Sequence, residues 1–295
     1  MSVRTSAKLP RAERVQAPFG RRRAAVVGNR ASGGYRVFSL LDASGPEPAA
    51  GQFYMLATAS HWSGDSDGER PYLPRAFSVA QARPAQAGVE LDFLVDAVGP
   101  GTERLSALER GEEVWINGPL GNPFSAPADL VDAAAGAILV GGGIGVAPLA
   151  IWRHRLTEAG VPTRVLLGFR DEAHTGGLDL FQCSEMKLAS EDGHAGHRGY
   201  VTELLAVLLE GNEAGNAPVY ACGPPAMLEA VRVMCVERGV VCELAMEAPM
   251  ACGFGACFGC AIPLAAGGYM RACVNGPVVR GDQIETALVT GSGHR

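Results

Sequence analysis

The sequence predicts a multidomain fold: an antiparallel β-barrel, a doubly wound α/β domain with a parallel sheet, and a small cysteine-rich C-terminal domain. Short segments rich in Val, Phe and Tyr, separated by Gly, Pro and Asp, fill residues 20–130 and are typical of a barrel or sandwich. Strand and helix patterns alternate over 131–246, as in doubly wound sheets. Glycine and cysteine concentrate in 247–295, and a basic tail occupies 1–19.

Six segments are predicted to be the strands of the first domain. They are RAAVVGNR, GYRVFSLLD, GQFYMLAT, RAFSVAQA, VELDFLVD and EVWINGPLG. One helix, GTERLSALERG, is predicted to open at Thr102, and the polar stretch at 61–74 is predicted to be a surface loop between two strands.

The second domain is predicted from strand and helix patterns that follow one another along the chain. Its predicted strands are GAILVGGG, TRVLLGFRDE, APVYACGP and VCELAME, and its helices are VAPLAIWRHRLTEAG, YVTELLAVLLEG and PAMLEAVRVMCVERG. The polar stretch from 174 to 199 predicts one short strand and an irregular loop.

Charge and hydropathy exclude several classes of protein. The net charge of −6 disfavours a general nucleic-acid binder, because no positive field attracts phosphate. No uninterrupted apolar run reaches the roughly 18 residues of a membrane span, and no signal-length apolar core follows the basic tail. We therefore expect a cytoplasmic, reducing environment, where clustered cysteines indicate metal ligands or redox groups.

The strongest signal is the loop ACGFGACFGC at 251–260. Its thiols, with one that follows, have the spacing C-x4-C-x2-C-x12-C, and they are Cys252, Cys257, Cys260 and Cys273. The first three match the plant-type ligand run of a [2Fe–2S] cluster, for which thiolates are suitable soft ligands. The loop's glycines permit turns that direct backbone N–H groups towards the cluster sulfurs.

Two other interpretations of these thiols stay open at this level. A structural zinc site usually pairs two C-x2-C knuckles, and only Cys257 and Cys260 form one; the thiols could also be unrelated core residues. Cys235 and Cys242 are expected to be buried small apolar side chains. His194 and His197, near Cys183, could hold a second metal but fit a polar loop better.

Two short motifs in the first domain suit a flavin nucleotide. RAFS places Arg75, Ala76, Phe77 and Ser78 together, and an arginine suits a diphosphate while an aromatic ring suits a flavin face. GPGT places Gly101 and Thr102 at a helix start, whose backbone amides can face phosphate. Alone, either motif also fits an ordinary surface arginine, a core aromatic or a helix start.

Two glycine motifs in the second domain suit a second nucleotide. VGGGIGVAP follows a strand and opens a helix, and its glycines are Gly141, Gly142, Gly143 and Gly145. It departs from the dinucleotide fingerprint at Val146 and Pro148. Cys222, Gly223 and Pro224 end another strand, where ligands of such sheets bind, although a tight turn would also explain them. Arg170, Asp171 and Glu172 leave NAD and NADP both possible.

The order of these motifs resembles the ferredoxin–NADP reductase superfamily over residues 20–245, and the C-terminal layout resembles the electron-transfer subunits of two-subunit, NAD-dependent dihydroorotate dehydrogenases. The resemblance implies FAD in the barrel, NAD in the α/β domain and a [2Fe–2S] cluster in the C-terminal domain. It places Phe77 and Ser78 against the flavin ring and makes Ala76 a further cofactor-binding residue. Arg75, Gly101 and Thr102 are placed on the FAD diphosphate. Cys222, the catalytic candidate, is placed with Gly223 near the nicotinamide.

The resemblance also implies a function and a partner. An FMN-containing catalytic subunit would oxidise dihydroorotate, two copies of each subunit would form a heterotetramer, and this chain would pass the electrons to NAD+ in pyrimidine biosynthesis. One alternative is a flavin and iron–sulfur subunit that draws electrons from NAD(P)H for a hydrogenase, transhydrogenase or oxygenase; another is a zinc-stabilised interaction module without flavin. The family usually has Arg-Pro where this chain has Arg75-Ala76, and a basic residue where it has Asp96.

Overall fold

A computed structural model describes residues 13–60, 73–181, 186–211 and 214–289 of the chain. Most of the basic tail, residues 61–72 of the predicted surface loop and Cys183 lie outside these described residues. Within them the predicted fold class is confirmed: a closed barrel, a mainly parallel sheet and a small C-terminal unit. None of the helices in the described ranges is long and apolar enough to cross a membrane.

Six antiparallel strands close the barrel in the order β1-β2-β5-β4-β3-β6, and each overlaps a segment that the sequence predicts. Their bounds are β1 Arg22–Ser32, β2 Tyr35–Asp42, β3 Phe53–Thr58, β4 Arg75–Ala85, β5 Gly88–Val95 and β6 Glu113–Leu120. Tyr54, Phe38 and Phe93 are fully buried in its interior. Helix α1, Pro100–Ala107, begins two residues before the predicted Thr102, because proline fits a first helical turn, where no backbone N–H is needed.

Seven strands form the second sheet in the order β10-β9-β8-β7-β11-β12-β15, and all neighbours are parallel except the last pair. The strands are β7 Ala137–Gly142, β8 Thr163–Phe169, β9 Met186–Ser190, β10 His197–Arg198, β11 Val219–Cys222, β12 Cys242–Ala245 and β15 Val278–Arg280. The helices between β6 and β12 are α2 Pro127–Leu130, α3 Ala147–Glu158, α4 Val201–Glu210 and α5 Pro225–Glu237. From β7 the chain adds β8, β9 and β10 on one side and β11 and β12 on the other. Sheets of this kind bind ligands at the point between the two sides, here between β7 and β11.

The C-terminal segment is attached to the rest of the molecule at several points. It contains the hairpin β13 Ala261–Pro263 and β14 Tyr269–Arg271, and the short helix α6 Ala272–Asn275. Its last strand, β15, pairs antiparallel with β12 and so extends the second sheet. Gly276 accepts a hydrogen bond from the backbone N–H of Asn122, just after the barrel. These pairings fix the cysteine loop against both larger domains.

The barrel and the parallel sheet also contact each other directly. The β1–β2 turn reaches the second domain, where the Gly34 N–H donates to the Thr175 carbonyl at 2.7 Å. The aromatic rings of Phe124 and Trp152 stack with centroids 5.9 Å apart. The carboxyl ends of the parallel strands consequently face β4 of the barrel across a cavity.

Candidate functional site

The cavity between the barrel and the parallel sheet has a volume of about 1240 Å³. Most of the predicted cofactor residues line it, although they come from motifs far apart in sequence. They are Arg75, Ala76, Phe77, Ser78, Thr102, Gly142, Gly143, Gly145, Cys222, Gly223 and Pro224. A space of this size suits two nucleotides meeting end to end, as a flavin and a nicotinamide must for hydride transfer.

Strand β4 presents the RAFS motif along one wall of the cavity. Ser78 is paired with Phe53 of β3, which also lines the cavity. The Phe77 ring is half-buried and packs edge-to-face on Phe93, with centroids 6.5 Å apart. Arg75 donates from Nη1 to the Leu73 carbonyl at 2.6 Å, which orients its guanidinium at the start of the strand.

The helix start at GPGT contributes one residue to the cavity. The hydroxyl of Thr102 lines it and accepts hydrogen bonds from the backbone N–H groups of Val98 and Gly99 at 3.0 and 3.1 Å, which fixes the first turn of α1. The structure does not bring Gly101 to the cavity lining; it is buried in that turn.

The glycine turn after β7 serves packing as well as ligand access. Gly143 has φ +53°, and Cβ atoms at Gly142 and Gly145 would lie 2.6 Å from Met227 Sδ and from Gly223 respectively. The turns after β7 and β11 therefore approach each other closely enough to need glycine. Gly141 lies below the cavity, where a Cβ would meet Leu167 at 2.9 Å, so its glycine is explained by core packing.

Cys222 ends β11 at the bottom of the cavity. Burial, with a contribution from the negative charge of Glu247, raises the pKa of its thiol to about 12. The thiol is therefore neutral at physiological pH, and it can donate a hydrogen bond or pack against a ring but does not act there as a thiolate nucleophile.

Several residues of the cavity wall were missed by the sequence reasoning. Tyr35 begins β2, Glu191 directly follows β9 and Tyr200 directly precedes α4. Residues 245–250, between β12 and the cysteine loop, also line it. Only their positions next to strand ends or a motif could have signalled them. Asp96, which the sequence marks as unusual, does face the cavity.

The acidic and basic residues after β8 bind one another, so Asp171 is not free to bind the ribose of a nucleotide. Asp171 contacts His174 Nδ1 at 2.6 Å and Arg170 Nε at 3.0 Å. The hydrogen bond with His174 lowers the pKa of Asp171 to about 2, and Arg170 adds to this. Glu191, which directly follows the neighbouring strand β9, provides a carboxylate in the cavity lining at this end.

The four predicted cluster ligands converge in the C-terminal unit as two pairs. The Sγ atoms of Cys260 and Cys273 lie 3.3 Å apart and are buried, whereas Cys252 and Cys257 share a hydrogen bond nearer the surface. Cys252 and Cys273 are close enough to interact electrostatically, so the pairs adjoin. Two thiolates for each of two irons is the ligand set of a [2Fe–2S] cluster.

Backbone N–H groups of the cysteine loop point at its sulfurs. Burial raises the pKa of Cys252, but hydrogen bonds from the backbone of Cys257, Phe254 and Ala256 outweigh it and hold the pKa at about 6. Burial and the neighbouring thiol of Cys260 raise the pKa of Cys273 to about 12, opposed by the Gly255 N–H. The left-handed φ values of Gly253 and Gly255, +78° and +86°, turn these amides inward.

The arrangement of the thiols differs from that of a mononuclear zinc site. Among the described residues, no group of three or more His, Cys, Asp or Glu side chains has the geometry to hold one metal ion. His194 and His197 bind different carboxylates, Asp192 at 2.8 Å and Glu203 at 2.6 Å. Two adjoining thiol pairs fit a two-iron cluster better than a single tetrahedral ion.

The thiol loop and the cavity meet at strand β3. A Cβ on Gly253, next to Cys252, would lie 2.7 Å from Met55, and Phe53, two residues away along the strand, lines the cavity. Met250, two residues before Cys252, lines the cavity as well. The two sites are therefore neighbours at β3.

Two family models match the chain. The iron–sulfur cluster binding domain of dihydroorotate dehydrogenase B matches residues 247–285, and the oxidoreductase NAD-binding domain matches 139–233. The match at 247–285 contains all four thiols described above, and the match at 139–233 contains the glycine turn and Cys222.

Curated relatives match over most of their length. The electron transfer subunit of dihydroorotate dehydrogenase B (NAD(+)) from Clostridium acetobutylicum is 36% identical over 81% of this chain and 87% of that relative. The protein of the same name from Clostridium perfringens is 33% identical over 84% and 92%.

Solved structures show the same fold. That of an NADH-dependent reduced ferredoxin–NADP oxidoreductase superposes with a TM-score of 0.73 at 24% identity, over 89% of this chain and 90% of that chain. The ferredoxin reductase of carbazole 1,9a-dioxygenase superposes with a TM-score of 0.59 at 24% identity, over 75% and 66%.

Proposed function

The chain belongs to the family of electron transfer subunits of dihydroorotate dehydrogenase B, and from this we propose that it carries FAD and a [2Fe–2S] cluster and passes electrons to NAD+. The electrons come from the oxidation of dihydroorotate, in the synthesis of pyrimidines. The chain is thus an oxidoreductase subunit that transfers electrons, and the substrate is oxidised elsewhere.

The observation that carries this function is the junction at β3. Phe53 lines the cavity that holds the flavin motif, and Met55 on the same strand contacts the loop of the cluster ligands. When bound, FAD supplies the conversion between single electrons and the hydride that nicotinamide accepts. Electrons would reach FAD from the cluster one at a time, and such transfer requires that the two sites lie close together.

The residues of the chain divide the binding work between them. We assign Arg75 and the first turn of α1, with Thr102, to the FAD diphosphate, because a guanidinium and helix amides bind phosphate oxygens. Phe77 and Ser78 lie where the flavin ring would pack. The turns after β7 and β11 bound the nicotinamide nucleotide, and the neutral thiol of Cys222 orients its ring.

The family membership implies a catalytic partner subunit. We propose that this partner contains FMN, binds dihydroorotate, and assembles with this chain as two copies of each in the cytoplasm. The exposed thiol of Cys257, on a loop that also exposes Phe254 and Phe258, is where electrons would enter this chain. On this proposal the chain alone does not turn over dihydroorotate.

The first experiment is a visible spectrum of anaerobically purified protein, with iron, sulfide, zinc and flavin measured on the same sample. We expect flavin bands over a broad iron–sulfur absorption, with about two irons and one FAD per chain. A colourless, zinc-containing protein would refute the electron-transfer function. Steady dihydroorotate oxidation by the single chain would refute the division of labour between subunits.

A further inference from the structure

Arg271 connects the two halves of the cysteine loop. It ends β14, two residues before Cys273, and its side chain is partly buried. Nη1 donates to the Gly255 carbonyl at 2.8 Å, and the guanidinium carbon lies 5.0 Å from the centroid of the Phe258 ring. Gly255 lies between Cys252 and Cys257, and Phe258 lies between Cys257 and Cys260, so one arginine contacts both intervals.

Both residues that the Arg271 side chain contacts have a left-handed backbone conformation. Gly255 has φ +86° and Phe258 has φ +59°. A bulky residue in that conformation is strained and persists only where its surroundings hold it. The Phe258 ring is 62% exposed, so core packing covers only a minor part of it, and the guanidinium packs over the ring.

The conformation that Arg271 holds is the one that directs N–H groups at sulfur. The Gly255 N–H is hydrogen-bonded to Cys273, while the Gly255 carbonyl accepts from Arg271. The neighbouring amides of Phe254 and Ala256 point at Cys252. The Gly255 carbonyl lies in the same peptide plane as the Ala256 N–H, so the hydrogen bond from Arg271 fixes the direction of that N–H towards Cys252. The same hydrogen bond restrains the left-handed backbone of Gly255, which in turn sets the direction of the Gly255 N–H.

We propose that Arg271 is a positioning residue for the iron–sulfur cluster, which holds Gly255 and Phe258 so that backbone N–H groups face the sulfurs and which favours the reduced cluster by its charge. This proposal rests on the proposed function. Reduction adds one electron and no proton to the cluster, so the cluster becomes more negative by one charge. A nearby guanidinium and inward N–H dipoles both stabilise the added charge.

The test compares R271M and R271K with the matched control R280M in the full chain. Arg280 lies in the same C-terminal segment, on β15, and pairs with Asp282 at 2.8 Å. The midpoint potential of the cluster is measured by redox titration followed by electron paramagnetic resonance. At the wild-type midpoint we expect the reduced-to-oxidised ratio to fall about tenfold in R271M, equivalent to about 59 mV for one electron.

The other variants separate charge from geometry. R271K keeps the charge and should recover much of the potential, but with altered g-values, because a lysine cannot stack on Phe258 and reach Gly255 as a planar fork does. R280M should keep both the potential and the g-values of the wild type. Loss of the cluster from R271M alone, with FAD retained and the cluster restored in R271K, would equally support positioning.

Two outcomes overturn the proposal and one overturns its premise. R271M with the wild-type potential and g-values would show that Arg271 has no influence on the cluster. Loss of FAD together with the cluster from both R271M and R271K would make the arginine a general folding residue. A wild-type chain without a [2Fe–2S] spectrum would instead refute the proposed function.

Discussion

The cysteine loop and the cavity between the barrel and the parallel sheet are formed in opposite ways. The four thiols lie within about twenty consecutive residues, whereas the cavity is lined by residues from Tyr35 to Leu288. Short-range spacing and left-handed turns bring the thiols together. The cavity exists only because the barrel and the parallel sheet dock. A site of the first kind depends on a few covalently close residues, and a site of the second kind depends on the whole fold.

The difference extends to the cysteines themselves. Backbone N–H groups outweigh burial at Cys252 and lower its pKa to about 6. At Cys222 burial dominates, and its pKa rises to about 12. The loop thus favours a thiolate, the form that a metal ligand needs, whereas the cavity keeps a thiol neutral. If the two sites are separate, a change at one of them should leave the other intact.

The largest expected effect is loss of the cluster from C257S with FAD retained. Serine replaces the one exposed thiol of the four and is a poor ligand for iron. Iron should fall from about two per chain to nearly none, while flavin absorption stays, since Cys257 is not part of the cavity lining. Metal and flavin analysis of the purified variant measures both quantities.

The matched control for this variant is C235S, which changes a buried cysteine of α5 outside the loop. It should keep its iron, although the buried hydroxyl will lower its stability. Simultaneous loss of FAD from C257S would contradict the separation and would mean that the loop supports the cavity through β3.

The second prediction concerns alkylation in the metal-free chain. At pH 7.5 Cys252 should react with iodoacetamide faster than Cys222 by on the order of a hundredfold, because the thiolate is the nucleophile. The rate at Cys252 should rise as pH increases through about 6, where its thiol ionises, and then level off. The rate at Cys222 should stay low and keep rising up to alkaline pH. Peptide mass spectrometry follows each residue, and equal rates would refute the contrast.

Much of the fold follows from local patterns. All six barrel strands overlap the predicted segments, because alternating apolar residues and turn residues are local signals. The antiparallel edge strand β15 is only three residues long, and no local pattern announces its pairing with β12. Sequence could not place it, because its partner is about 35 residues away along the chain.

The same division applies to the site residues. The spacing of the four thiols predicts that they lie together, and the structure brings them together as two adjoining pairs. The roles of the glycines could not be predicted, because the sequence does not say whether a ligand or a neighbouring side chain occupies the space of the missing Cβ. Gly143 faces the cavity, whereas at Gly141 the side chain of Leu167 occupies that space. The position of Glu191 in the cavity lining could not be predicted for a similar reason, because an acidic residue in a polar stretch resembles any surface acid until the sheet places it at a cavity.

The third prediction is the counterpart of C257S. R75Q should weaken FAD binding about 10- to 100-fold, the loss of a charge-assisted hydrogen bond of about 1.5–3 kcal/mol, and should leave the iron content unchanged. R23Q is the control, because Arg23 forms an exposed ion pair with Glu113 at 2.8 Å outside the cavity. Flavin release under dilution gives the affinity. Undiminished FAD binding in R75Q would remove Arg75 from the diphosphate site.

The smallest expected effect is a change of nucleotide preference at Glu191. A carboxylate at the end of a parallel strand can accept a hydrogen bond from the ribose 2′-OH of NAD and repels the 2′-phosphate of NADP. E191Q should therefore lower the ratio of kcat/KM for NADH over NADPH about tenfold, and E191R should lower it further. A dye that accepts electrons allows the assay without the partner subunit. E172Q is the control, since Glu172 follows β8 but lies outside the cavity lining. If E191Q keeps the wild-type ratio while the variant at Glu172 changes it, the ribose lies at the end of β8, and the network of Arg170, Asp171 and His174 must open to receive it.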